Sequence, residues 1–335
     1  MLATQRTRTA KTDEFYAITC AGLRKQAQRA SGAQTPESVT PIQLVEYLIG
    51  RKRQLAKRTW QTYKAAVCAQ LEDAIEGGQM GEASSLQEVQ ELQYALDMLR
   101  AQSQTEALRH TNRTSALKAK ALAGDDMQAI CDCLRSMSEG SAPAPGRRSL
   151  SARALLTWCQ ASDLVGLRPS EWANADRLDL ADGTPVLKVR NAKHTHDRGN
   201  GEYRHLDLSR LTPEQLGIID QQLELIDGYR EPEAFQTLVG TLRKTLSRVA
   251  RRVLSKRKKY PSLYTFRHQF AADAKSAMNG RSTVAALMGH ASDATAGRNY
   301  AKAKIGRGGV NVAPVPSEVA TVRQKARAQP AKPSI

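Results

Sequence analysis

At 335 residues, the chain is long enough for two domains with cores of their own. Hydrophobic residues make up 41% and charged residues 25%, which excludes a disordered or fibrous chain. The formal net charge is +17, from 50 Lys and Arg against 33 Asp and Glu, and such an excess points to a polyanionic partner, nucleic acid above all. No stretch reaches the roughly 18 apolar residues of a membrane span, so no membrane association is expected. The N-terminal stretch MLATQRTRTAKTDEF has no apolar core of a secretory signal. Cys20, Cys68, Cys131, Cys133 and Cys159 are scattered, as expected of reduced thiols in a cytoplasmic compartment. Cys131 and Cys133 have no second Cys or His pair beside them, so no metal site is expected.

Residues 1–36 are basic and polar and read as a partly flexible N-terminal arm, with room for a short helix near 13–30. From Thr40-Pro41, an N-cap and first-turn pair, the pattern turns helical. Ile42, Val45, Leu48 and Ile49 recur at helical spacing, then Trp60, Tyr63, Val67 and Leu71. Ser85 and Glu88 form a capping-box pattern ahead of Val89, Leu92, Leu96 and Leu99. Residues 37–110 therefore read as a small helical domain followed by a linker. Its charge is uneven: RKRQLAKR, residues 51–58, holds five cations, whereas residues 65–99 hold seven acids and no Lys or Arg. Arg51, Lys52, Arg53 and Arg58 are candidate polyanion contacts, against the plainer reading of a solvated helix surface.

A second domain, 111–312, begins with a helix through Met127, Ile130, Cys131 and Leu134. SEGSAPAPGRR reads as a loop, and a helix through Leu155, Leu156 and Cys159 follows. Strands are expected only near 177–208, where PVLKVR and EYRHLDL flank a Gly/Asn-rich connection, as in a hairpin. Thr212-Pro213 opens another helix. Residues 241–259 carry nine Lys or Arg and no acid, with Leu242, Leu246, Val249 and Val253 on one face. That pattern predicts a helix with a buried stripe and a basic outer face bearing Arg243, Lys244, Arg248, Arg251 and Arg252. Residues 313–335 read as a basic flexible tail.

Four stretches of this domain carry polar residues that packing does not require. They are VGLRPSEW with Arg168, RNAKHTHDRGNGEY with Lys193, LYTFRHQF with Tyr264 and Arg267, and LMGHASDATAGRNYAK with His290 and Tyr300. Taken singly, each has an ordinary structural reading: a helix-end arginine, a turn lysine, a C-terminal cap histidine, a surface tyrosine. In this order they resemble the tyrosine recombinase (phage integrase) family, in both the polar residues and the local wording GLRPSE, FRHQFA and LMGH.

The resemblance implies a mainly α fold with a small antiparallel β-sheet, a helical core DNA-binding domain and a mixed α/β catalytic domain. It implies a site-specific DNA recombinase or integrase of a phage or other mobile element, found with the nucleoid, that cleaves and rejoins strands without ATP or any cofactor. Double-stranded recombination sites would be the substrate, bound by a homotetramer on paired sites, with accessory DNA-bending or directionality proteins. Arg168 and Arg267 would hold the phosphate oxygens and His290 would add a donor. Tyr300 would be the nucleophile. Lys193 would protonate the leaving oxygen, with Lys188 as the alternative. Departing from the family pattern, Tyr264 stands where a histidine is usual; a phenol stays neutral and donates a hydrogen bond at pH 7, or the residue belongs to the core. His194 and His268 read as structural. The basic helix of 241–259 and RKRQLAKR would grip the DNA duplex. A dimer-resolving recombinase and a catalytically silent DNA-binding protein are the alternatives.

Overall fold

The computed structural model describes residues 8–79, 85–107, 118–139, 146–192, 194, 199–254, 257–295 and 300–324. The chain divides into two compact units, residues 1–113 and 114–335.

Unit 1 is helical among the described residues, built from α1 (Ala10–Ser31), α2 (Pro41–Gly50), α3 (Lys57–Gln79) and α4 (Leu86–Arg100). Thr40 and Ser85 cap α2 and α4 with reciprocal capping boxes to Gln43 and Glu88, which satisfies the helix-start N–H groups that otherwise lack partners. Trp60, Leu44, Leu48 and Leu99 are fully buried in its core. Within the segment read as a partly flexible arm, the helix allowed for near 13–30 is α1, and it packs into the core. Cys20, Leu23 and Ala27 recur at three- and four-residue spacing on α1 and are buried in that core, so the helix gains an apolar face to pack.

Unit 2 begins with α5 (Gly124–Ser138) and α6 (Arg147–Val165). Strands β1 (Ala175–Asp179), β2 (Pro185–Arg190) and β3 (Tyr203–Asp207) follow, then α7 (Pro213–Asp227), α8 (Pro232–Val253), α9 (Leu263–Ala277) and α10 (Arg281–Leu287). The strands form one antiparallel sheet in sequence order, with Val189 opposite both Ala175 and Arg204. Its fourth strand, β4 (Ala313–Pro314), comes from the segment read as a tail, and pairs with Leu206 and Asp207. A short helix, Pro316–Ala320, follows, and Val322 is buried against Ala285 and Ala286. Two features tie this segment down. Glu318 Oε1 accepts from the His205 amide at 2.8 Å, and alternating apolar residues at 312, 314 and 322 are buried.

The core of unit 2 centres on Trp158, fully buried and within 6.4 Å, centroid to centroid, of both Trp172 and Phe235. Helix α8 adds Leu242, Leu246 and Val249 to it while Arg243, Lys244, Arg248, Arg251 and Arg252 stay exposed. Helix α9 turns Phe266, Phe270, Ala271 and Ala274 inward.

Candidate active site

Three short backbone devices present the polar cluster. The first ends α6. Gly166 has φ +61°, donates its N–H to Ser162 O at 2.9 Å, and passes so close to Phe270 that a Cβ would lie 2.1 Å from the ring. Only glycine fits both requirements. The chain then turns sharply, Glu171 N donating to Arg168 O and Arg168 N to Glu171 Oε2, each at 2.8 Å. The second device opens α9: Ser262 N donates to Thr265 Oγ1 at 2.8 Å, and the Thr265 hydroxyl donates to Ala119 O at 2.8 Å. That places Arg267 one turn in, fully buried. The third ends α10, where Gly289 has φ +63° and swings His290 inward to 3% exposure.

Arg267 is the hub. Its Nε donates to Tyr300 Oη at 3.0 Å and its Nη1 to Gly166 O at 2.9 Å, while Nη2 donates to Met288 O. Nη1 also lies 3.4 Å from Glu171 Oε2. Arg168 Nη1 pairs with Glu171 Oε1. Burial alone would raise the Glu171 carboxyl, but Arg204, Arg267 and Arg168 more than reverse this and hold it well below the usual carboxylate range.

Tyr300 is 9% exposed. Its hydroxyl also lies 3.0 Å from that of Tyr264, and the His268 and His290 rings sit 5.1 Å from its ring. Burial pushes the Tyr300 phenol up, yet Arg267, Arg168 and the two hydrogen bonds outweigh it, so the net shift is downward from 10. Tyr264 shifts upward, through burial and then the neighbouring Tyr300. Burial first, then Arg267, Arg168 and Arg204, push the His290 imidazole down to about 2. Burial, Lys120 and Arg267 push His268 down to about 4.

Several polar atoms here face no partner among the described residues. Arg168 Nε and both ring nitrogens of His290 are buried and unbonded. A buried polar group without a partner costs about 1–3 kcal/mol. These unpartnered atoms lie beside the Arg267 guanidinium and the Tyr300 phenol, where the surrounding positive charge favours an anion.

The segment after Tyr300 is strapped to α9. Lys275 Nζ donates to Ala301 O at 2.7 Å and Gln269 Nε2 to Ile305 O at 2.9 Å. Arg307 spans Asp163 at 2.6 Å and Asp273 at 2.8 Å.

Arg168, Tyr264, Arg267, His290 and Tyr300 thus come together, and Tyr264 is 36% exposed rather than part of the core. Lys193 lies outside the described residues. Lys188 stacks 4.5 Å above Tyr203, on the sheet face opposite Val189 and Arg204. His268, read as structural, abuts both tyrosines. Among the cations assigned to DNA, Arg58 is exposed and the Arg53 side chain is 80% exposed, 3.6 Å from Glu106. Arg51 is half-buried and donates to Tyr47 Oη at 2.9 Å. Lys52 is a correction. It is 5% exposed, with Nζ over Trp60 at 5.6 Å and donating to Gln102 at 3.3 Å, because its aliphatic stem packs along the core. Sequence reasoning missed Arg204, Asn191, Asp273 and Arg307. Arg204 had a signal: it shares the inward parity of Leu206 and Leu208 in EYRHLDL.

No protein-family model and no curated protein matches this sequence. Among solved structures, the chain is similar to a XerH site-specific recombinase bound to palindromic difH substrate in a post-cleavage complex. The TM-score is 0.48 at 15% identity, covering 84% of this chain and 74% of that one. It is also similar to XerH bound to difH substrate in a pre-cleavage complex, with TM-score 0.41, 15% identity, and 88% and 86% of the two chains covered. The XerA recombinase structure gives TM-score 0.36 at 15% identity, over 87% and 86%.

Proposed function

We propose that this chain is a tyrosine-type site-specific DNA recombinase that cuts and rejoins strands through Tyr300. The observation that carries the reading is the buried Tyr300 phenol, held by Arg267 and Tyr264 among unpartnered Arg168 and His290 donors.

Each residue then has a role set by its position. The free Nε of Arg168 and the His290 ring donate to the nonbridging oxygens of a scissile phosphodiester, and Arg267 adds its charge from below. These fixed donors stabilise the extra negative charge of the pentacoordinate transition state. Tyr300 Oη loses its proton to solvent and attacks phosphorus as the phenolate, a P–O bond forms to it, and the bond to the 5′-oxygen breaks. Lys193 supplies the proton that makes the leaving group a 5′-hydroxyl. The product is a 3′-phosphotyrosyl ester, which retains the energy of the broken bond, so a 5′-hydroxyl from another strand reverses the step without ATP.

The exposed cations of α8 support a duplex DNA substrate: Arg243, Lys244, Arg248 and Arg252 lie along its outer face. They supply affinity to any sequence. In this reading the protein works on paired recombination sites as a homotetramer, with accessory DNA-bending proteins, and belongs to a phage or other mobile element.

A nicked suicide duplex carrying the element's junction tests the proposal. Wild type is expected to leave a denaturant-resistant protein–DNA adduct that Tyr300→Phe does not form. DNA that binds without any adduct would instead establish a catalytically silent DNA-binding protein.

A further inference from the structure

Strand β3 places a third guanidinium beneath the site. Arg204 is fully buried, level with Leu206 on the inward face of the sheet. Its Nη2 donates to Glu171 Oε2 at 2.8 Å, and its Nη1 lies 3.2 Å from Glu171 Oε1. The same Nη1 donates to Asn191 Oδ1, while Asn191 Nδ2 donates to the carbonyls of Asn200 and Gly201 at 3.1 and 3.0 Å. Arg204 is therefore gripped from two sides. The backbone at Gly289 closes over it: a Cβ there would lie 2.9 Å from Arg204 Nη1 and 2.2 Å from Asn191 Oδ1.

The charge count is the telling feature. Glu171 is one carboxylate shared by Arg168, Arg204 and Arg267. Three positive charges less one negative leave two. Two arginines on the same carboxylate would leave one. Among the described residues, the other titratable groups around Tyr300 are Tyr264, His268, Lys275 and His290, and burial keeps both imidazoles neutral. Among the described residues, the guanidiniums of Arg267 and Arg168 thus supply the positive field that Tyr300 feels.

We propose that Arg204 is a positioning residue of the cleavage site, which takes up the charge of Glu171 so that Arg168 and Arg267 keep theirs for the phosphate and the phenolate. The inference rests on the phosphotransfer reading above. Arg204 touches neither DNA nor Tyr300 and acts wholly through Glu171.

The test is single-turnover cleavage of the suicide duplex from about pH 6 to about pH 10, alongside DNA affinity and thermal unfolding. Arg204→Met is expected to slow cleavage about 100-fold and move the rising limb of the pH profile upward. Arg204→Met combined with Glu171→Gln restores two positive charges, and is expected to recover cleavage and return the limb. A double variant as slow as the single one, with both limbs at the wild-type pH, would overturn the proposal and leave Arg204 a purely structural residue. If Arg204→Met does not fold, Arg204→Lys decides: a limb at the wild-type pH supports the charge role, and an upward shift despite the retained charge overturns it. A wild type that binds DNA and forms no adduct overturns the underlying reading as well, whereas failure confined to the variants overturns only this inference.

Discussion

The hydroxyls of Tyr264 and Tyr300 lie 3.0 Å apart, with their rings inclined by only 22°. Tyr300 is the more acidic of the two, because Arg267 and Arg168 favour its phenolate more than that of Tyr264. Once Tyr300 ionises, as the proposed chemistry requires, Tyr264 can only donate, and its hydrogen bond stabilises that phenolate. Tyr264→Phe removes a charge-assisted hydrogen bond of about 1.5–3 kcal/mol, and should slow cleavage roughly 10- to 100-fold near neutrality. The plateau of the pH–rate profile should move to higher pH. An unchanged plateau in single-turnover assays would show that the two hydroxyls do not communicate.

The two imidazoles beside Tyr300 give a stability signature. His290 is held down to about 2 and His268 to about 4, both below the unfolded value of about 6.5. The unfolded chain thus binds more protons than the folded one below about pH 6.5, and stability falls as pH drops from about 7 towards 5. Thermal unfolding across that range should show the slope, and replacing both histidines by Asn should flatten it. Phosphodiester binding places an anion against His290 and favours its charged form. DNA should therefore bind with proton uptake, visible as a buffer-dependent heat in calorimetry.

Arg307 bridges Asp163 and Asp273 across α6 and α9, seven residues beyond Tyr300. Arg307→Ala leaves the half-buried Asp163 and the buried Asp273 without that partner, and should destabilise the protein by about 2 kcal/mol in urea unfolding. Cleavage should slow further than stability alone explains, because the strap that fixes Tyr300 loosens. DNA affinity should stay at the wild-type level. A cleavage rate equal to wild type at a temperature where the variant is fully folded would rule out the positioning role.

Arg248 and Lys52 make a paired test of which cations meet DNA. Arg248 is exposed on α8, and Arg248→Ala should weaken binding to all sequences and reduce the slope of log K against log salt by about 0.9. Lys52 is buried over Trp60. Lys52→Ala should lower stability by about 1–3 kcal/mol and leave the salt slope unchanged. A salt-slope change for Lys52→Ala would mean that its ammonium reaches the phosphates after all.

The helical faces were legible from spacing alone. Leu242, Leu246 and Val249 are buried where their periodicity placed them, and the Thr40 and Ser85 capping boxes form as their spacing suggested. The polar cluster was legible because Arg168, Arg267, His290 and Tyr300 sit in short, order-preserving phrases. Charge counting failed where charge and burial part company. RKRQLAKR looks uniformly exposed, yet Lys52 is turned inward, its ammonium over Trp60 and bonded to Gln102. Arg204 was passed over for the converse reason: an arginine on a strand reads as surface unless its parity with Leu206 is weighed against its charge. The packing of residues 313–324 was not legible because their apolar residues are sparse and find their burial in a distant part of the same unit, as Val322 does against Ala285. Local composition carries no trace of such pairings.

β3 and β4 join residues 206 and 314, more than a hundred positions apart. Pairing over such a separation closes a long loop and is slow. During synthesis the N-terminal unit emerges and folds first. The turn bearing Arg168 and the helix bearing Arg267 come next, and Tyr300 and β4 follow them. On the proposed reading, the residues that would grip a phosphate are thus made before the nucleophile and before the strand that completes the sheet.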